Sequence, residues 1–181
     1  MLNFAGARGA SVGVRPLKEF LSSVQKLDTF DMVLFGGTGD LALRKLVPAL
    51  YRRHVAGQIG PSSRVLAVAR SGLSREDYLA QIEASCRKHL KAEELTNERW
   101  RAFAAQVDYV QVDATSAEDF RKLQTALVGR DDAVRVIFLS TAPSLFTLAC
   151  DNLAGANIVT PKTRVVLEKP LGHKDATVGN N

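Results

Sequence analysis

Asp31-Met32-Val33-Leu34-Phe35-Gly36-Gly37-Thr38-Gly39-Asp40-Leu41-Ala42 is the stretch on which the reading of the whole chain turns. An apolar run of strand length passes directly into a glycine-rich turn and then into a segment of helical period, predicted as a helix from about Asp40 to Val55. The spacing is Gly-x-x-Gly-x-x-Ala, a form of the dinucleotide-binding fingerprint, and each position has its own physical reason. Gly36 permits the tight turn, Gly39 lets a pyrophosphate approach the backbone, and the small Ala42 lets helix and strand pack closely. Backbone N–H groups at the helix start, at the positive end of its dipole, suit phosphate oxygens.

Two other nucleotide-binding patterns are absent. No Gly-Lys-Ser/Thr closes the turn as in a P-loop, since Lys45 comes six residues after Gly39, inside the helix. None of Tyr51, Tyr78 or Tyr109 has a lysine four residues later, the pairing of short-chain dehydrogenases.

Beyond the turn, β-branched runs alternate with helical segments, the pattern of a parallel sheet covered by helices. Strands are expected at Arg64 to Ala69, Val107 to Val112, Val134 to Leu139 and Arg164 to Leu167. Helices are expected at about 74 to 90, where Ser74 and Asp77 suggest a start, and at about 92 to 105. Two more run from Ser116 to about Leu127 and from Pro143 to near Gly155. Trp100 and Phe103 stand at helical spacing and read as core. The fold class is α/β, a Rossmann-type doubly wound parallel sheet. The expected organisation is an N-terminal extension over 1–28, a nucleotide-binding domain over 29–173 and a tail over 174–181 that stops mid-structure.

Composition agrees with one packed domain. The chain has 181 residues, 46% hydrophobic and 24% charged, enough for one sizeable core. Its 24 Lys+Arg against 19 Asp+Glu give a net charge of +5, which suits an anionic small molecule, and no basic stripe interleaved with aromatics points to nucleic acid. Cys86 and Cys150 are too few for a disulfide framework or a Cys-ligated zinc site and read as reduced thiols of a cytoplasmic protein. No apolar run reaches the length of a membrane span. Arg8, Arg15 and Lys18 without an acid faintly suggest a transit peptide, but no secretory h-region is present.

Coenzyme choice falls at the end of the second strand, where an acid selects NAD and an arginine accommodates a 2′-phosphate. The residue there is Arg70, whose guanidinium forks onto phosphate, so NADP is expected.

At this point the chain resembles glucose-6-phosphate dehydrogenases. Phe35-Gly36-Gly37-Thr38-Gly39-Asp40-Leu41-Ala42 with Lys45, Pro48 and Leu50 is similar to their coenzyme loop. Ala69-Arg70, Phe138 to Phe146 with Pro143-Ser144, and Val166-Leu167-Glu168-Lys169-Pro170-Leu171-Gly172 follow in family order over residues 31 to 173. The resemblance implies that Gly36, Gly37, Thr38, Gly39, Asp40, Leu41, Ala42 and Leu43 hold the pyrophosphate of NADP and that Arg70 holds the 2′-phosphate. It further implies that Asp113 and Ala114 line the adenine side and that Lys169 reaches both the nicotinamide and the sugar phosphate substrate. The implied reaction is glucose 6-phosphate + NADP to 6-phosphogluconolactone + NADPH, in a cytoplasmic enzyme that is a homo-oligomer at full length.

One departure is visible: Ala142-Pro143 stands where the family commonly has two prolines. A second is length, since the family's further domain supplies the sugar-phosphate site and the His-Asp general base. His54, His89 and His173 offer no substitute with a credible carboxylate partner, so the expectation is a chain inactive on its own. The alternatives are an NADP-dependent oxidoreductase of the glucose-fructose and inositol dehydrogenase group, which shares Glu168-Lys169-Pro170, and a non-catalytic nucleotide-binding fragment.

Overall fold

The first apolar run forms β1, Phe30–Phe35, and the later ones form β2, Arg64–Ala69, β3, Val107–Gln111, β4, Val134–Leu139, and β5, Thr163–Leu167. This is a computed structural model, and it describes residues 27–168. The helices are α1, Val47–Val55, α2, Arg75–His89, α3, Asn97–Ala104, α4, Asp119–Ala126, and α5, Phe146–Gly155. A π-helical turn, Ala42–Leu46, leads into α1, and a 3-10 turn, Pro143–Leu145, leads into α5.

All strand pairs are parallel, in the order β3-β2-β1-β4-β5. The chain builds outward from β1 to one side, then returns to β4 on its other side. That reversal leaves a crevice at the carboxyl ends of β1 and β4.

Alternation along β1 sends Leu34 to one face and Val33 and Phe35 to the other. On the first face Leu34, Val65 and Ala67 pack against Val47 and Tyr51 of α1, Tyr78 and Ile82 of α2, and Trp100 and Phe103 of α3. On the second, Val33, Phe35, Leu66, Val68, Ile137 and Leu139 meet Phe120 and Leu123 of α4 and Ala149 and Leu153 of α5. Each fully buried side chain of this size contributes about 1.5–3 kcal/mol. Trp100 and Phe103 are core residues, as their spacing predicts. Cys86 is buried and Cys150 partly so, both free thiols. Among the described residues no helix is long and apolar enough to cross a membrane.

Two helices begin later than expected, and one strand is less covered than the others. The helix expected from about 92 begins at Asn97, because Lys91 and Glu94 close a turn and Thr96 caps the helix by accepting from the Arg99 N–H. The helix expected from Ser116 begins at Asp119. Among the described residues β5 is flanked on one side only and exposes Val165, Val166 and Leu167, unlike the central strands. Parts of the expected 1–28, 29–173 and 174–181 divisions, with Lys169 and His173, lie outside the described residues.

Candidate coenzyme site

The glycine turn is fixed from beneath. Gly36 and Gly37 both donate their N–H to the Val68 carbonyl of β2, at 2.9 and 3.1 Å, and Gly39 N–H closes back on the Gly36 carbonyl at 2.9 Å. Gly36 has φ +78°, and a Cβ there would run into the Ser140 carbonyl at the end of β4, so this position requires glycine. At Gly37 a Cβ would come within 2.8 Å of the Ala67 side chain. At Gly39 it would meet only the Gly36 carbonyl, at 3.1 Å, so the space above Gly39 is otherwise open. The N–H groups of Thr38, Asp40, Leu41 and Ala42 have no acceptor among the described residues. They are the unsatisfied donors that the start of a helical run leaves open.

Around this turn lies a cleft of about 490 Å³, built from the carboxyl ends of four strands. β1 contributes Phe35, Gly36, Thr38 and Gly39, and β2 contributes Val68 to Ser71. β3 leads into Val112 to Thr115, and β4 into Ser140 to Ala142, with Leu145. The Thr141 hydroxyl, buried in this wall, has no hydrogen-bond partner among the described residues. Arg70 is exposed and forms no ion pair with another described residue.

Asp113 closes the third side. Its carboxylate accepts the Thr115 N–H at 2.9 Å and the Thr115 hydroxyl at 2.7 Å, while its own N–H donates to Asp119. The Thr115 bonds, aided by the nearby Arg70 charge, hold the Asp113 carboxyl below its ordinary value. Asp113 is therefore both a turn-forming residue and a fixed negative charge beside Arg70.

Of the residues expected at a site, Gly36, Thr38, Gly39, Arg70, Asp113 and Ala114 meet in this cleft. Gly37, Asp40, Leu41, Ala42 and Leu43 do not line it. Gly37 packs on β2, Asp40 is exposed and pairs with Arg44 at 3.2 Å, Ala42 is buried against the sheet, and the Leu43 carbonyl accepts from Ser85 at 2.7 Å. Asp40, Leu41 and Ala42 contribute backbone donors only. Lys169 lies outside the described residues. Ser71, Val112, Thr115, Ser140, Thr141 and Ala142 also line the cleft, and the sequence reading gives none of them a binding role. Each lies in the segment just beyond the carboxyl end of a parallel strand, the side on which such sheets bind ligands, and that rule points to them. Neither His54 nor His89 reaches the cleft.

Comparison with known proteins bears on the family and the fold. The family model for "Glucose-6-phosphate dehydrogenase, NAD binding domain" matches residues 33–180. The glucose-6-phosphate 1-dehydrogenase of Gluconobacter oxydans is 39% identical over 155 residues, which is 84% of this chain and 32% of that protein. That of Rhizobium meliloti is 35% identical over 151 residues, 83% of this chain and 31% of the relative. Among solved structures, the glucose-6-phosphate 1-dehydrogenase of Mycobacterium avium superposes with a TM-score of 0.72 at 27% identity, covering 81% of this chain and 31% of that one. A glucose-6-phosphate dehydrogenase in complex with its substrate glucose-6-phosphate gives 0.71 at 28% identity, over 82% and 32%. The chain spans about a third of the length of the curated relatives it matches.

Proposed function

The chain belongs to the glucose-6-phosphate dehydrogenase family, and on that premise we propose that its cleft is the NADP site of an enzyme oxidising glucose 6-phosphate to 6-phosphogluconolactone. The observation that carries this reading is one cleft that brings together the glycine turn, whose Thr38 amide has no acceptor among the described residues, and Arg70, which pairs with no described carboxylate. The orphaned Thr141 hydroxyl and the open space above Gly39 fit a polar ligand drawn close to the backbone.

The N–H groups of Thr38, Asp40, Leu41 and Ala42 donate to the pyrophosphate, assisted by the helix dipole. Arg70 forks onto the 2′-phosphate, and Asp113 and Ala114 bound the adenine side. Phe35, Val68 and Val112 keep the floor of the cleft apolar, which strengthens these charge-assisted bonds. Lys169 reaches the nicotinamide end and donates to a sugar hydroxyl. When bound, NADP supplies the acceptor for the hydride leaving C1 of the sugar. The assembled enzyme works in the cytoplasm as a homo-oligomer.

Calorimetric titration of wild type and Arg70→Ala with NADP and with NAD tests the reading. The wild type prefers NADP, and the variant loses about 1.5–3 kcal/mol of NADP binding, the worth of a charge-assisted hydrogen bond, with NAD binding unchanged. An undiminished NADP preference in Arg70→Ala would contradict it.

A further inference from the structure

Two tyrosines lie beneath the cleft without lining it. Tyr78, fully buried on α2, donates its hydroxyl to the Gly37 carbonyl of the glycine turn at 3.0 Å. Its ring stacks on Tyr109 of β3, with centroids 5.0 Å apart and planes inclined by 29°. The Tyr109 hydroxyl lies 2.5 Å from the Ser71 carbonyl and 3.2 Å from the Ala69 carbonyl, so one phenolic proton is shared by the two residues that flank Arg70. Gln111, two residues along the same face of β3, donates to the carbonyl of Arg70 itself at 3.0 Å. Three successive carbonyls, 69 to 71, are thus held by two side chains of β3, while the arginine side chain stays free to close on a ligand.

We propose that this stacked pair brackets the site, fixing the position of Arg70 relative to the glycine turn, and that Tyr109, with Gln111, is a positioning residue for discriminating NADP from NAD. The inference rests on the NADP reading above. The two coenzymes differ only in the 2′-phosphate, so a group that acts through Arg70 alters their ratio. A group that acts through the glycine turn alters both alike. Tyr109 is of the first kind and Tyr78 of the second.

The test is titration of the chain with NADP and NAD for wild type, Tyr109→Phe, Tyr78→Phe, Arg70→Ala and the Tyr109→Phe/Arg70→Ala double variant. Phenylalanine keeps each ring in the stack and removes only the hydroxyl. Tyr109→Phe should weaken NADP about three- to tenfold, leave NAD within about twofold, and have no further effect once Arg70 is alanine. Tyr78→Phe should weaken both coenzymes equally and preserve their ratio. Gln111→Ala, at an exposed side chain, should lower the ratio in the same direction as Tyr109→Phe and serves if that variant fails to fold. Equal weakening of both coenzymes by Tyr109→Phe, or additivity with Arg70→Ala, would overturn the bracket while leaving the arginine reading intact. If Arg70→Ala itself keeps the NADP preference, the arginine reading falls and the bracket with it.

Discussion

At the amino ends of the strands, Asp31 sits in register between Arg64 of β2 and Arg135 of β4, fully buried. Both its oxygens accept from Arg130 Nε at 2.8 Å, and Arg64 approaches at 3.4 Å. The surplus guanidinium protons go to carbonyls: Arg130 to Ser62, Arg64 to Ala126 at the end of α4, and Arg135, only 2% exposed, to Ile158. Arg135 Nε is the exception, buried with no acceptor among the described residues. At the carboxyl ends the arrangement is reversed: four turn amides, a threonine hydroxyl and the Arg70 guanidinium have no partner among the described residues. The same sheet thus consumes its polar capacity at one end, where charge serves the fold, and leaves it available at the other. Buried or convergent donors left open concentrate where a ligand completes them.

This contrast is broken most severely by removing Asp31. Asp31→Ala leaves Arg130 and Arg64 facing each other across an apolar sheet end, and urea unfolding should show a loss of about 3–5 kcal/mol. The surviving folded fraction should bind NADP as wild type does, since no residue of this cluster lines the cleft. Within the carboxyl end, two glycines separate fold from function. Gly36→Ala should cost about 1–3 kcal/mol in stability, from positive φ and the clash with Ser140. Gly39→Val should leave thermal unfolding nearly unchanged while abolishing dinucleotide binding, because its side chain enters space that only a ligand occupies.

The elements readable from sequence are those whose cause is local. The apolar run 31 to 35, the glycine spacing and Arg70 at the end of a strand each declare themselves within a few residues. The role of Asp31 was not legible because its bidentate partner Arg130 lies 99 residues away. The Tyr78–Tyr109 bracket was equally invisible, since it joins residues 38 and 41 positions apart in sequence. α3 starts at Asn97 although Ala92, Glu93 and Glu94 have good helix propensity, because the Thr96 cap sets its beginning. The binding role of Ser140 and Thr141 is not legible, because the run Phe138 to Phe146 does not itself say which of its side chains face a cleft. Their place beside β1 follows only from the strand order.

The smallest expected effect is on pH dependence at the carboxyl end. Asp113 is held below its ordinary value by Thr115, and Asp119 by Lys122 and then by the Asp113 N–H. Because both folded-state values lie below the unfolded carboxylate value of about 3.9, their stabilisation is full above that pH and is lost as pH falls through the lower folded values. Urea midpoints measured between about pH 5 and about pH 3 should fall for wild type and fall less steeply for Asp113→Ala.

The most direct test of the contrast is a map of backbone amide chemical shifts on titration with NADP. The account predicts perturbation at Gly36, Thr38, Gly39, Arg70, Ser71, Asp113, Thr115 and Thr141, with Asp31, Arg64, Arg130 and Arg135 unmoved. Shifts gathered at the amino ends of the strands, or at the separate groove lined by His54 and Arg99, with the glycine turn silent, would contradict it.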